Sequence, residues 1–203
     1  MRSTGLTAWE LYCRRGDRWL FGGLDLRLEP GGALQVVGPN GVGKTSLLRI
    51  LAGLLRPTLI GLPSPSAAKV GTVRWQGSVG LVDHAAALDE HLPLGRALAF
   101  WRSFDRSPDA PLERLGLADL VDVPVRYLSS GQRKRAALAR LIAQRADNWL
   151  LDEPLNALDK PGSALVEELI AEHRAGGGTV VVASHQPIAM PEAQVVDLRD
   201  HPA

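Results

Sequence analysis

The run at residues 38–45, GPNGVGKT, has the composition and spacing to hold a polyphosphate. It fits the pattern G-x-x-x-x-G-K-[ST], and it lies between an apolar stretch and a segment with helical periodicity. Glycines let a backbone wrap a phosphate with its N–H groups inward, and a helix N-terminus adds a partial positive charge. Lys44 would then reach the β- and γ-phosphates, and Thr45 would hold Mg²⁺. The residues predicted to contact the nucleotide here are Gly38, Pro39, Asn40, Gly41, Val42, Gly43, Lys44, Thr45 and Ser46.

A second run, WLLDE at residues 149–153, is an apolar stretch that ends in two carboxylates. A buried strand with this ending is the Walker B form that accompanies a phosphate-binding loop. Asp152 would support Mg²⁺, mostly through water, and Glu153 would polarise the attacking water as general base. Taken alone, such a run is more often a strand that ends in a solvated acidic turn. Its interpretation therefore depends on the phosphate-binding loop.

The segment LSSGQ at residues 128–132 precedes a predicted helix and has the form of another anion site. A Ser-x-Gly turn at a helix N-terminus aims a hydroxyl, backbone N–H groups and the helix dipole outward. Here the chain resembles the ATP-binding cassette (ABC) family, whose signature is L-S-G-G-Q. The resemblance implies that Ser129, Gly131 and Gln132 cover the γ-phosphate held by a second copy of the chain. A plain N-cap by Ser129 or Ser130 is compatible with that role.

Two further runs follow in the order of that family. LNALD at residues 155–159 looks like its D-loop, and Ser184-His185 looks like its H-switch, which would place His185 near the γ-phosphate. The resemblance covers nearly the whole chain, with five motifs in family order, and it implies ATP and Mg²⁺ as cofactors. The residues that it implies for catalysis are Lys44, Glu153 and His185, and those for Mg²⁺ are Thr45 and Asp152.

The chain also departs from the family pattern. The family has a glutamine, the Q-loop, between its two lobes, and His84 takes that place here. A neutral imidazole can partly replace an amide in hydrogen bonding, and its titration near neutral pH would make the contact sensitive to pH. Ser130 replaces a glycine of the signature. The residue that stacks on adenine is left open among Tyr12, Cys13, Arg14 and Arg15.

Strands that alternate with helices must position these residues. Apolar or alternating runs predict strands at residues 24–28, 33–37, 73–75, 149–151 and 179–183. Helical spacing predicts helices at residues 45–55, 92–104, 112–120, 131–144 and 163–174. Prolines mark residues 57–69 as a surface loop. The apolar residues of 92–104 are read as the core of a helical lobe, in preference to a dock for a partner's helix.

This order of elements predicts an α/β protein. With the resemblance, it implies the P-loop NTPase fold of ABC ATPases: a mostly parallel sheet core, an N-terminal antiparallel β region and an inserted helical lobe. Residues 1–203 would form a single ATP-binding domain. Residues 1–85 and 147–203 would be its catalytic core lobe, and residues from about 86 to 146 its helical lobe with the signature.

The bulk composition limits the partners. The 203 residues carry a net charge of +1, which gives no electrostatic case for nucleic acid. A single cysteine, Cys13, excludes an internal disulfide, and no cluster of Cys and His has metal-ligand spacing. The N-terminus shows no secretory signal, and no run of about 18 apolar residues could span a membrane. We therefore expect any membrane association to come through a partner.

Several details resemble one branch of the family, the ATPase subunits of the haem-handling ABC complex of bacterial c-type cytochrome maturation. They are the runs at residues 73–77, 124–129, 133–141 and 184–187, together with the histidine at position 84. Residues 59–69 look like an insertion. The resemblance implies ATP hydrolysis coupled to haem handling, a membrane-spanning permease partner of the CcmB type, and a position on the cytoplasmic face of the bacterial inner membrane. No His or Cys pair is placed to ligate haem.

Three other functions stay open. The first is an ATPase subunit of an ABC exporter for another substrate. The second is an ABC ATPase that acts on DNA or ribosomes, although such proteins carry long coiled coils or two cassettes, and this chain has neither. The third is a nucleotide-regulated scaffold without turnover, which the presence of Glu153 and His185 argues against.

Overall fold

The computed structural model describes residues 4–59, 71–84, 86–102 and 111–202. An antiparallel sheet of three strands comes first, with β1 (Gly5–Arg15) between β2 (Arg18–Leu28) and β4 (Thr72–Gln76). The second half of β2 alternates strictly between buried leucines and exposed polar residues, as expected of a sheet with one solvated face. The predicted antiparallel β region is thus confirmed, and it is longer than the run at residues 24–28.

A parallel sheet of five strands forms the centre of the molecule, in the order β5-β6-β7-β3-β8. Every neighbouring pair in it runs parallel. Its strands are β3 (Ala33–Val37), β5 (Val79–Val82), β6 (Asn148–Asp152), β7 (Thr179–Ala183) and β8 (Gln194–Asp197). All residues of β6 and β7 are buried, which is typical of strands covered on both faces. The carboxyl ends of these strands meet at one edge of the sheet.

The described residues contain four α-helices between the strands: α1 (Lys44–Leu51), α2 (Leu94–Arg102), α3 (Ser130–Ala143) and α4 (Lys160–Ala175). The sheet separates two apolar clusters. Leu150 and Val181 pack with β1, β2 and α1, whereas Leu151 and Val182 pack with α2, α3 and α4. Alternate residues of one buried strand therefore face different layers. The predicted α/β class with a parallel core is confirmed.

Some predicted elements are wrong in extent or type. Helix α1 ends before residue 55, because Gly53 has φ +73° and cannot continue the helix. The predicted helix at residues 112–120 is absent; turns fill most of it, Gly116 has φ +60°, and a short 3₁₀ segment covers Ala118–Leu120. The predicted helical lobe, residues from about 86 to 146, therefore contains turns as well as helices. No strand occurs in its described residues, 86–102 and 111–146.

Strands β5 and β8 were not predicted from the sequence patterns. Each has only four residues, and β8 lies at the sheet edge with Val195 exposed. Helix α4 begins three residues earlier than predicted, because the Asp159 side chain accepts a hydrogen bond from the Gly162 amide and caps it. Of the predicted surface loop, residues 60–69 lie outside the described part of the chain. Residues 103 and 104, at the end of the helix predicted at residues 92–104, also lie outside it.

Candidate functional site

The phosphate-binding loop joins β3 to α1. Gly38, Gly41 and Gly43 have φ values of +132°, +80° and +122°, which L side chains rarely adopt. Gly43 is also closely packed, since a Cβ there would lie 3.1 Å from the Leu20 Cβ. It is the N-cap of α1 but has no side chain to form a capping bond. The amides of the first helical turn are therefore left for a ligand.

Lys44 lies buried at the start of α1, with 6% of its surface exposed. Its Nζ donates to the Gly38 carbonyl at 2.8 Å and to the Pro39 carbonyl at 3.4 Å. The same atom is 3.7 Å from Glu153 Oε1. The ammonium thus folds back into the loop, where it can neutralise a phosphate held by the loop amides.

Thr45 and Asp152 meet where α1 faces the end of β6. Thr45 Oγ1 donates to Asp152 Oδ2 at 2.7 Å, while Asp152 Oδ1 is buried with no hydrogen-bond partner. Burial, the largest cause, raises the pKa of the Asp152 carboxyl from its ordinary value. Hydroxyl and carboxylate oxygens are the ligands that Mg²⁺ prefers, and an unpartnered buried oxygen is stabilised by a cation. The residues fit the predicted metal site.

Glu153 follows directly and has a strained backbone, with φ +47°. Its amide donates to the Ala183 carbonyl at the end of β7, at 2.8 Å. Its Oε2 lies 2.8 Å from His185 Nδ1 and 3.4 Å from the His185 amide. His185 itself is about half exposed. The structure thus brings together five residues from the start of α1 and the carboxyl ends of β6 and β7: Lys44, Thr45, Asp152, Glu153 and His185.

A cleft of about 240 Å³ opens beside these groups. Its lining residues are Leu20, Asn40, Gly41, Gly43, Lys44, Thr45, Ser46 and Glu153. Leu20, from β2, is the one that the motifs did not predict. The sequence held no direct signal for it, because its place beside Gly43 depends on how the antiparallel sheet packs against the loop.

The signature residues lie elsewhere. Ser129 caps α3 through a capping box, in which the Gln132 amide donates to Ser129 Oγ at 3.2 Å and the Ser129 amide donates to Gln132 Oε1 at 2.8 Å. Gly131 has no room for a side chain, since a Cβ would lie 2.8 Å from the Ala157 carbonyl oxygen. Ser129, Gly131 and Gln132 are not among the residues that line the phosphate cleft of their own chain.

His84 also lies away from that cleft. Its side chain is largely exposed, with Nδ1 3.8 Å from Asp83 Oδ2, and Asp83 Oδ2 lies 3.3 Å from Arg49 Nη2. His84 lines a separate cavity of about 480 Å³, together with Ser130, Lys134 and neighbouring residues. A contact between His84 and the nucleotide stays a prediction.

Burial reduces the number of candidates for the residue that stacks on adenine. Cys13 is 2% exposed and so has no surface for stacking; burial raises the pKa of its thiol. An aromatic that the sequence patterns did not single out, Trp19, is exposed beside Leu20, with the Arg14 guanidinium 5.8 Å from its ring centre. Trp19 joins Tyr12, Arg14 and Arg15 as a candidate.

Lys134 on α3 also contacts the site, and the sequence patterns did not predict this contact. Its Nζ donates to the backbone carbonyl of Asp152 at 3.3 Å. Burial lowers the pKa of this lysine, and the nearby carboxylates of Asp152, Asp83 and Glu153 oppose that shift. In the sequence it is one of three consecutive basic residues, which predicts a solvated face rather than a contact.

Within the described residues, no group of three or more His, Cys, Asp or Glu side chains could hold a metal ion by itself. No helix in that part of the chain is both long enough and apolar enough to cross a membrane.

Comparison with known proteins places this geometry in a family. The model of the ABC transporter family matches residues 21–156. The cytochrome c biogenesis ATP-binding export protein CcmA of Novosphingobium aromaticivorans is 50% identical over 98% of both chains. The protein of the same name from Rhodospirillum rubrum is 47% identical, over 95% of this chain and 84% of its own.

Solved structures agree on the fold. A metal-chelate-type ABC transporter in an inward-facing conformation matches 96% of this chain and 80% of its own, with a TM-score of 0.76 and 26% identity. An ABC transporter ATP-binding protein from Pyrococcus furiosus matches 99% of this chain and all of its own, with a TM-score of 0.75 and 22% identity. The chain therefore belongs to the ABC transporter family of ATP-binding proteins, and it is an ATPase.

Proposed function

We propose that this ATPase couples ATP hydrolysis to haem handling in c-type cytochrome biogenesis, as a subunit of an ABC transporter complex. The observation that carries the proposal is the likeness to proteins named for cytochrome c biogenesis, which reaches 50% identity over nearly the whole chain. The site supports the ATPase part. A cationic loop, a buried carboxylate and a second carboxylate beside a histidine meet at one cleft.

Each residue of the site has a proposed task. The amides of residues 38–46 and the Lys44 ammonium bind the β- and γ-phosphates, because they supply donors and charge at a helix N-terminus. Thr45 and Asp152 hold Mg²⁺, which when bound offsets the negative charge of the phosphates. Glu153 accepts a proton from the attacking water, and His185 orients Glu153 through the 2.8 Å contact.

The signature implies a composite site. Family membership implies a dimer of ATPase chains and a membrane permease partner. Within one chain, Ser129 and Gln132 satisfy each other and stand apart from the phosphate cleft. We propose that Ser129, Gly131 and Gln132 cover the γ-phosphate bound to the other copy, with His84 at the Q-loop position. In this arrangement residues 1–85 and 147–203 bind the nucleotide, and residues from about 86 to 146 carry the signature as a helical lobe.

The permease partner is proposed to be of the CcmB type, which would hold the ATPase at the cytoplasmic face of the bacterial inner membrane. Co-expression with candidate permeases from neighbouring reading frames tests this. Purification of a complex whose ATPase responds to haem would support it. A complex with a permease that responds to another substrate and not to haem would favour the exporter alternative.

The enzymatic mechanism is tested by Glu153→Gln, which keeps the shape of the side chain but removes the base. We expect the variant to bind MgATP and accumulate as a dimer, measured by light scattering after size-exclusion chromatography, with turnover reduced at least about a hundredfold. A monomeric Glu153→Gln protein with the parent ATPase rate would contradict both the general base and the composite site.

A further inference from the structure

The peptide bond between Asp152 and Glu153, at the carboxyl end of β6, is held on both sides. Its carbonyl oxygen accepts a hydrogen bond from Lys134 Nζ at 3.3 Å. Its N–H donates to the Ala183 carbonyl oxygen at 2.8 Å. The two partners come from different elements, α3 and β7, and both lie far from this peptide in the sequence. The plane of a single peptide is therefore set by tertiary contacts.

This peptide determines where the Glu153 carboxylate points. Glu153 has φ +47°, a left-handed conformation that residues other than glycine rarely adopt. Such a conformation persists only where the surroundings hold it. Rotation of the preceding peptide would change φ at Glu153 and move its side chain relative to Lys44 and His185, which it now approaches at 3.7 Å and 2.8 Å.

Lys134 is well suited to hold this peptide. Its side chain is partly buried against the cavity that α3 lines together with Asp83 and Ala87, so that its ammonium is not fully hydrated. A buried cation is stable only when it is paired, and the carboxylates of Asp152, Asp83 and Glu153 supply the surrounding negative charge. Lys134 also lies little more than one turn beyond the signature cap Ser129, on the same helix.

We propose that Lys134 is a positioning residue for Glu153. By holding the Asp152 carbonyl, it sets the peptide that aims the Glu153 carboxylate, and it ties the site to the helix that carries the signature. A movement of α3 away from β6 would release this peptide and so lower turnover without removing the phosphate-binding loop. The inference rests on the proposed role of Glu153 as general base.

The test compares the full-length chain with Lys134→Met and Lys134→Arg. Methionine keeps most of the length of the side chain but has no donor, whereas arginine keeps both a donor and the charge. We expect Lys134→Met to lower kcat at least about tenfold, while the Kd for a fluorescent ATP analogue in Mg²⁺ changes less than twofold. Lys134→Arg should restore kcat to within about threefold of the parent. Lys160→Met, on the exposed first turn of α4, is the matched control and should leave kcat and Kd unchanged.

Several outcomes would overturn the inference. They are a Lys134→Met protein with kcat within twofold of the parent, a parallel loss of kcat and nucleotide binding, and a Lys134→Arg protein no more active than Lys134→Met. Thermal melting of each variant separates misfolding from misplacement; if Lys134→Met does not fold, the kcat and Kd of Lys134→Gln decide by the same criteria. Glu153→Gln assayed in parallel keeps the two proposals apart. If Glu153→Gln loses turnover while Lys134→Met keeps the parent kcat, Glu153 would remain the general base. The proposal that Lys134 positions Glu153 would then be rejected.

Discussion

The N-termini of α1 and α3 are both candidate phosphate contacts, but they are built in opposite ways. Helix α1 begins after Gly43, which offers no capping side chain, so that its first amides stay open toward the cleft. Helix α3 begins after Ser129, whose hydroxyl and backbone are both satisfied by Gln132. The open end needs a ligand to complete its hydrogen bonds, whereas the capping box already satisfies two amides at the other end, those of Ser129 and Gln132.

The two helix ends also differ in burial and in the charged groups around them. Lys44 is buried and its ammonium contacts two loop carbonyls and approaches Glu153, so the open end already contains its charged partners. Ser129 and Ser130 are exposed. A rigid, capped and exposed helix end is suited to meet a phosphate that another molecule holds. The difference between the ends supports the proposal that one end binds nucleotide within the chain and the other covers nucleotide bound to a second copy.

The largest effect is expected from removing the cation of the open end. Lys44→Met should lower ATP turnover by at least about a hundredfold, because the β- and γ-phosphates lose their buried positive partner. It should also weaken MgATP binding, measured by titration calorimetry. Lys160→Met serves as the control for the substitution itself. Parent-like binding by Lys44→Met would show that the loop amides alone hold the phosphates.

The next largest effect is expected from a substitution of Gly43, the N-cap of α1. Gly43→Ala places a Cβ 3.1 Å from Leu20 at φ +122°, which we expect to cost about 1–3 kcal/mol and to displace the loop. Both the melting temperature and MgATP affinity should fall. Gly53→Ala is the matched control, because Gly53 has φ +73° but nothing within 4 Å of an added Cβ. Equal losses of affinity in the two variants would show that the close packing of Gly43 has no functional importance.

The Asp152 carboxylate, which faces the open end of α1, destabilises the fold in the absence of ligand. Burial raises the pKa of Asp152, so the ionised carboxylate destabilises the unliganded fold. In EDTA at neutral pH, Asp152→Asn should raise the melting temperature by about 4 °C, by calorimetry. The variant should lose the stabilisation that MgATP gives the parent.

Asp197→Asn provides the contrast for this experiment. The Arg199 side chain lowers the pKa of Asp197 to about 2, so the ionised form is favoured in the fold, and neutralising it should lower the melting temperature slightly. A fall in melting temperature for both variants would contradict the assignment of an electrostatic cost to Asp152.

The smallest effect is expected at the capped end. Ser129→Ala removes one arm of the capping box and should cost about 1 kcal/mol of stability, or roughly 2–4 °C in melting temperature. Ser130→Ala, at the next exposed residue, controls for the loss of a hydroxyl. If Ser129→Ala were as stable as Ser130→Ala, α3 would not depend on its cap, and the contrast with α1 would be weaker than the geometry indicates.

The predictions from sequence were correct where the structure depends on residues close together in the chain. The predicted positions of the loop at residues 38–45 and of strands β3, β6 and β7 were correct, because glycine spacing and apolar runs act locally. Strand β5 was missed because it is short and contains Gly80, where a Cβ would collide with Leu141 of α3. The helix expected at residues 112–120 was wrong because Gly116 turns the chain there.

The sequence alone determined the chemistry: a loop able to bind phosphate, a strand ending in Asp152 and Glu153, and a capped signature turn. These depend on residue type and on spacing within a few positions. Only the tertiary structure decided which groups meet, since Thr45 reaches Asp152, His185 reaches Glu153 and Lys134 reaches the Asp152 carbonyl across gaps of 107, 32 and 18 residues. Such contacts depend on how helices pack against a sheet, which periodicity in one segment does not specify. The open α1 end and the capped α3 end could be read from sequence, but the peptide that Lys134 holds could not.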